Sequence, residues 1–364
     1  MKIKKAIKNF FIKKHSLPTL QKDDASEVEF YLIDSFEIYH FLPLYEDFIN
    51  ADINAKFIAE PNFIHSCGDW FDYDKTIAIL QEFGVDYRTL ANENAKFVIS
   101  TQESRNLSKY KNKKVRLSYS AGLAITHPSI NSHYFYGYDY LFVHGNYEKD
   151  IISSYVNKDK IYTIGYPRYK NLIKNPPQKK DIKAKYNIYT DKPLLVYLPT
   201  WDENSSICKF GDKIKSLNDE FFVITKPHHC TLRLKSSKKD LEKCYEISSL
   251  VLAQNQSLEE IAILSDYALI DAKSASCTEI LYLNKEAKIT PLSPHKNIDT
   301  LYVNSINNGG GIMNSKAIIN DPNKLTKDSI LNAKNFLFKD ISYFYDNNPN
   351  IQNFADFFNE RCKK

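Results

Sequence analysis

Glycine, methionine and tryptophan are scarce in these 364 residues, with ten, two and two copies. Three of the ten glycines sit together in Asn307-Asn308-Gly309-Gly310-Gly311, yet no lysine and no clear helix follow, so the segment reads as a turn beside the cleft rather than a P-loop. No apolar run approaches the roughly 20 residues that span a bilayer, and no signal-peptide pattern is present. The six cysteines, at 67, 208, 230, 244, 277 and 362, form no C-x-x-C pair and no dense framework, which predicts reduced thiols in a cytoplasmic chain. A net charge of +5 is small for this length and the basic residues are scattered, which argues against a nucleic-acid partner. A hydrophobic fraction of 43% and an aromatic fraction of 13% exclude disorder and leave enough apolar surface for two cores.

The start of the chain is an exception to the even charge. Ile3, Ile7, Phe10 and Phe11 recur at helical spacing among Lys2, Lys4, Lys5, Lys8, Lys13 and Lys14. Such a helix can lie on an anionic membrane surface, gaining about 1 kcal/mol per lysine near the lipid, or can simply pack on its own domain. The first reading predicts peripheral association with the inner face of the plasma membrane.

Along the chain, short β-branched or aromatic runs alternate with helical patterns. Strands are expected at Val28–Ile33, Lys56–Ala59, Phe97–Ser100, Val115–Ser118 and Tyr140–Val143, and helices at Tyr39–Asn50 and at Asp74–Phe83, which ends at Gly84. The polar, proline-interrupted stretch Asn175–Lys180 suits a linker, after which strands recur near Leu194, Phe221, Tyr267 and Lys288, with helices at Ser257–Leu264 and from Cys277. The pattern predicts an α/β protein of the GT-B class, two doubly wound Rossmann-like domains facing across a cleft. Its parts are a basic amphipathic helix (1–20), an acceptor-side domain (21–170), a nucleotide-donor-binding domain (171–345) and a C-terminal helix (346–364) able to cross back to the first domain.

Four segments carry the chemistry: Gly165-Tyr166-Pro167-Arg168, Leu198-Pro199-Thr200-Trp201, Lys226-Pro227-His228-His229, and the run from Asp271 through Ser274 and Ser276 to Glu279. Three of them follow apolar strand-like runs, which places them at the carboxyl edge of a sheet, where loops and helix N-termini converge on ligands. A lysine, a histidine and two serines ahead of an apolar helix suit a phosphate or pyrophosphate. The bland readings are a structural histidine at 228 and, for Asp72-Tyr73-Asp74, helix capping in place of a metal-binding D-x-D. His229 and Cys230 lack third and fourth ligands at zinc-like spacing, so neither a metal nor any other cofactor is expected. Tyr119, Tyr134, Tyr136 and Tyr138 could stack on a sugar or base, although most of the tyrosines must serve packing.

These segments resemble the CDP-glycerol glycerophosphotransferase family, which builds teichoic acids and capsules. Gly165–Arg168 with Leu172 is similar to its G-Y-P-R-x-D-x-L, Tyr197–Trp201 to its Y-x-P-T-W-R, Lys226–His229 to its R-x-H-P, and Ser265–Ser274 to its D-x-x-I-T-D-Y-S-S. The similarity covers about residues 140 to 290. It implies transfer of glycerol phosphate, or a related polyol phosphate or sugar, from a CDP-activated donor to a polysaccharide or lipid-linked acceptor, releasing CMP. By that resemblance His228, Asp271 and His127 are candidate catalytic groups, and Arg168, Thr200, Lys226, Ser274, Ser276 and Glu279 candidate donor-binding groups.

Departures from the family pattern keep alternatives open. The family carries a histidine in an H-G-T-P loop of the first domain; here Ser120 stands in its place, with His127 and His133 available nearby. The serine loop reads Asp271-Ala272-Lys273-Ser274, and the histidine motif ends in His229 rather than proline. A CMP-sugar-dependent transferase of the sialyl or Kdo type, or a non-catalytic binding protein that kept the fold, fits the same residues.

Overall fold

The computed structural model describes residues 26–60, 73–92, 94–101, 107–108, 110–119, 135, 137–253, 256–296, 315–333, 337 and 340–362. The lysine-rich start, the segment with Ser120, His127 and His133, and the triple glycine lie outside them. The described residues fall into two compact units, one of 26–119, 135–168 and 346–362, the other of 169–345, so the chain changes unit between Arg168 and Tyr169.

The first unit is built on seven parallel strands: β1 (Val28–Tyr31), β2 (Ala55–Ile58), β3 (Tyr87–Arg88), β4 (Phe97–Ser100), β5 (Lys113–Leu117), β6 (Tyr140–Val143) and β7 (Ile161–Thr163). Their order is β3-β2-β1-β4-β5-β6-β7, a doubly wound order that reverses between β1 and β4. β1 and β4 are buried at every position, as expected of strands covered on both faces; β4 accordingly opens on the apolar run Phe97–Ile99, whereas β1 is interrupted by buried Glu29, whose carboxylate accepts from the Ser26 and Tyr110 hydroxyls. β3 and β7 escape sequence reading because two or three residues give no periodicity.

The expected first helix is present as Glu37–Asn50 and buries Ile38, Phe41, Leu44 and Phe48 against the sheet. The C-terminal helix Phe354–Cys362 completes the same core: Phe358 lies 4.8 Å from Phe97 and 5.8 Å from Phe48, and Phe357 lies 5.2 Å from Phe142, ring centre to ring centre. Each such phenylalanine contributes on the order of 1.5–3 kcal/mol through burial.

The second unit has five parallel strands, β8 (Leu194–Leu198), β9 (Phe222–Thr225), β10 (Leu250–Val251), β11 (Tyr267–Asp271) and β12 (Lys288–Leu292), ordered β10-β9-β8-β11-β12. This is again a doubly wound order, now reversing between β8 and β11. Helix Ile207–Ser216 packs Ile207, Phe210 and Ile214 over Leu195, Tyr197, Val223 and Leu269. The stretch 175–178 separates helices Pro167–Lys174 and Lys179–Lys185, where Pro176 and Pro177 stop the first of them. Among the described residues no helix is long and apolar enough to cross a membrane.

Candidate active site

Since β9, β8 and β11 are neighbours running in one direction, the loops that follow them emerge side by side at one edge. Thr200, Lys226, His228, Ser274, Ser276 and Glu279 all belong to these loops or to the first turn of the next helix, and Asp271 ends β11. The reversal of strand order falls between β8 and β11, where open α/β sheets form their ligand crevice.

Asp271, the last residue of β11, is 1% exposed. Its Oδ2 accepts hydrogen bonds from the N–H of Thr200 at 2.7 Å and of Ser206 at 3.1 Å, so one carboxyl group from β11 fixes both ends of the loop that follows β8. Burial pushes its pKa up to about 7, against the pull of the Ser206 side chain and the two N–H groups. Oδ1 has no hydrogen-bond partner among the described residues. This environment suits a group that holds a loop in place. Ser206, which also shares a 2.7 Å hydrogen bond with the Tyr197 hydroxyl, belongs to this arrangement and carried no sequence signal.

His228 sits at the N-cap of the short helix His229–Arg233, where its Nδ1 accepts from the Cys230 N–H at 3.2 Å. A ring nitrogen that accepts a hydrogen bond carries no proton, so in the neutral ring the proton lies on Nε2, which is thereby a donor. Burial, with the neighbouring His229, lowers the pKa to about 3 and keeps the ring neutral. The Trp201 ring lies nearly parallel to it, 6.1 Å between centres and 20° between planes. The chemistry available is hydrogen-bond donation to an oxygen from a fixed, uncharged ring.

Lys226 is partly buried and donates through Nζ to the Ala253 carbonyl at 2.7 Å. Burial lowers its pKa to about 8, with Glu259 pulling it back up. Its charge thus stands at the β9 edge while the head group also anchors the segment after β10. Ser274 Oγ accepts from the Ser276 N–H at 3.3 Å, its carbonyl from Cys277, and the Ala275 carbonyl from Thr278 and Glu279. The first-turn N–H groups of helix Ser276–Leu283 are therefore already engaged. What this end of the helix offers an anion is its dipole and the two serine hydroxyls. Glu279, 8% exposed, lies in the same turn.

The second-unit edge does not account for two of the expected site residues. His127 lies outside the described residues. Arg168, in the first unit, has Nη1 3.3 Å from His40 Nε2 and its guanidinium 5.9 Å from the centre of the Tyr39 ring. Its motif has a backbone cause: Gly165 has φ +64°, and a Cβ there would stand 2.8 Å from the Asp346 carbonyl oxygen. Potential ligand atoms of His228, His229 and Cys230 come within 4.8 Å of one another. These are three consecutive residues, and His228 Nδ1 is engaged in its capping bond.

Two parallel-sheet α/β units in Rossmann order define a fold of the GT-B class. A model of the family described as CDP-Glycerol:Poly(glycerophosphate) glycerophosphotransferase matches residues 81–285, more than half of the chain, and the chain belongs to that family. It is 26% identical over 152 residues to the teichoic acid poly(glycerol phosphate) polymerase of Staphylococcus epidermidis, covering 38% of this chain and 20% of the relative. It is 25% identical over 152 residues to a teichoic acid glycerol-phosphate transferase of Staphylococcus aureus, covering 36% and 38%. The match thus spans well under half of either curated relative.

Among solved structures, the wall teichoic acid polymerase TagF aligns with a TM-score of 0.51 at 15% identity over 82% of this chain and 78% of that one. The UDP-GlcNAc 2-epimerase of Methanocaldococcus jannaschii aligns with a TM-score of 0.57 at 14% identity over 93% and 99%. At these identities the likeness is one of fold.

Proposed function

We propose that the chain transfers glycerol phosphate, or a closely related polyol phosphate, from a cytidine-diphosphate donor to a surface-polysaccharide or lipid-linked acceptor, releasing CMP. The acceptor hydroxyl oxygen attacks the donor's β-phosphorus, a new P–O bond forms, the bond to CMP breaks with its electron pair leaving on CMP, and the hydroxyl proton is lost. Such a reaction asks the protein for positioning and for stabilisation of phosphate charge rather than for covalent chemistry. The second unit holds the donor in this reading and the first recognises the acceptor.

The observation that carries it is the convergence after β8, β9 and β11 of a neutral histidine donor, a lysine and a serine pair at the reversal of strand order. His228 Nε2–H, Ser274 and Ser276 contact the donor phosphates, Lys226 adds charge, Asp271 holds the Thr200–Ser206 loop, and Glu279 lies within the same turn. Family membership supports the donor class. The first 14 residues bring the enzyme to anionic lipid, where a lipid-linked acceptor resides; vesicle flotation that is equal with and without residues 1–15 would remove this part.

The test is incubation of the full chain with a panel of CDP- and CMP-activated donors plus acceptor, with released CMP as the readout. Release from CDP-glycerol supports the reading. Release only from CMP-sugars would move the chain to the sialyl or Kdo class, and CMP binding without release from any donor would make it a binding protein.

A further inference from the structure

The carboxyl edge of the first unit's sheet holds a buried charge that the donor chemistry does not use. Arg116 lies on β5, one residue before Leu117, and is 6% exposed. Its guanidinium packs over the Phe135 ring, 5.2 Å from the centre, and its enclosed Nε has no hydrogen-bond partner among the described residues. No carboxylate meets it among the described residues: Glu148 is turned onto the His144 N–H at 2.6 Å, and Glu37 onto the N–H groups of Ile33 and Asp34. A buried cation without a counter-charge is costly, so its retention points to a ligand that supplies one.

The surroundings are of matching character. A shallow indentation at this edge is lined by His40, Ser118, His144, Tyr166 and Arg168 together with apolar side chains; Arg116 is not part of the lining but lies two residues before Ser118 on the strand that leads into it. It has no interior room for a water-sized molecule, so a ligand would meet its rim. Arg168 stands there with Nη1 on His40 Nε2; since arginine only donates, His40 accepts and keeps its proton on Nδ1. His144 is within electrostatic reach of Arg116, and both imidazoles are buried and held neutral. Two guanidinium groups thus stand at one sheet edge among uncharged histidines.

We infer that this edge of the first unit is a phosphate-ester subsite that recognises the phosphodiester backbone of the acceptor, with Arg116 as the buried counter-charge and Arg168 at the rim. It rests on the transferase reading for the acceptor's identity, and arginine is the residue suited to phosphate oxygens. A donor phosphate has the same chemistry, and the experiment separates the two.

Calorimetry of the full chain is run with a short glycerol-phosphate oligomer ending in a free hydroxyl and, separately, with CDP. Arg116→Gln is expected to weaken oligomer binding about tenfold or more, to leave CDP binding within about twofold, and to preserve or raise the melting temperature, since it removes a charge without a partner. Arg168→Gln weakens oligomer binding in the same direction. Unchanged oligomer affinity in Arg116→Gln, loss of CDP affinity instead, or a variant that fails to fold, each overturns the subsite; the last would mean that the charge is matched within the protein. Oligomer binding that depends on Arg116 in a chain that releases no CMP from any donor would keep the subsite and remove the transferase reading. CMP release with oligomer affinity indifferent to Arg116 would do the reverse.

Discussion

The carboxyl group of Asp271, at the end of β11, accepts a 2.7 Å hydrogen bond from the Thr200 N–H beyond the end of β8, and so bridges the two strands between which the second sheet reverses its order. The first unit repeats the device: Glu37, following β1, accepts from the Thr101 hydroxyl beyond β4, the strands between which its own sheet reverses. Burial raises both carboxyls to about 7. Each sheet thus ties together the loops beside its reversal of strand order with a buried acid.

Asp271→Asn should lower turnover about tenfold or more by loosening the Thr200–Ser206 loop, and it carries a pH signature. Folding raises the Asp271 pKa from an ordinary 3.8 to about 7, so the folded chain holds this proton more tightly than the unfolded one. Its contribution to stability is therefore greatest at acid pH and is lost as pH rises through that window, by at most about 1.4 kcal/mol per pH unit. Denaturant melts from pH 4 to 8 should show the variant gaining on the wild type as pH rises. A difference independent of pH would mean that the carboxyl is not in the environment described.

The two ring nitrogens of His228 can be tested separately. Asparagine reproduces the Nδ1 acceptor that caps Cys230 and lacks the Nε2 donor, whereas glutamine reproduces the donor and lacks the cap. His228→Asn should keep its melting temperature and lose about ten- to a hundredfold in turnover. His228→Gln should lose about 1 kcal/mol of stability and keep more of the activity. Because the ring stays neutral, with a pKa near 3, the pH profile of kcat/KM between 5 and 8 should have the same shape in His228→Gln as in the wild type. A limb near 6 to 7 that disappears in the variant would make the residue a titrating base.

Gly165→Ala places a methyl group 2.8 Å from the Asp346 carbonyl at φ +64°. The expected loss is about 1–3 kcal/mol in thermal unfolding. A neutral substitution would show that the segment from Asp346 yields to it.

Phe358→Ala should cost about 3–5 kcal/mol, as for other buried phenylalanines, because Phe358 touches rings from the sheet and from helix Glu37–Asn50. Urea midpoints give the value. A loss below about 1 kcal/mol would mean that the C-terminal helix is dispensable to the first core.

Much of this was legible in the chain. Most fully buried parallel strands show as apolar runs, and the loops at Thr200, Lys226, His228 and Ser274 follow such runs, so both the fold class and the placement of these residues at one sheet edge could be read. Proximity created by folding could not. Nothing in the sequence couples Ser206 to Asp271, and nothing marks Arg116, inside the run Lys113–Leu117, as buried with no carboxylate beside it among the described residues. Nor does the sequence show that the Arg168 side chain meets Tyr39 and His40, more than a hundred positions earlier.

The central claim is that the edge formed by β8, β9 and β11 holds a cytidine diphosphate. Calorimetric titration of the full chain with CDP, CMP, UDP and ADP in the presence of EDTA tests it most directly. CDP should bind most tightly, without added metal, and about tenfold or more weakly to Ser274→Ala and His228→Asn. Tighter binding of UDP or ADP, binding abolished by EDTA, or CDP affinity unchanged in both variants would contradict the account.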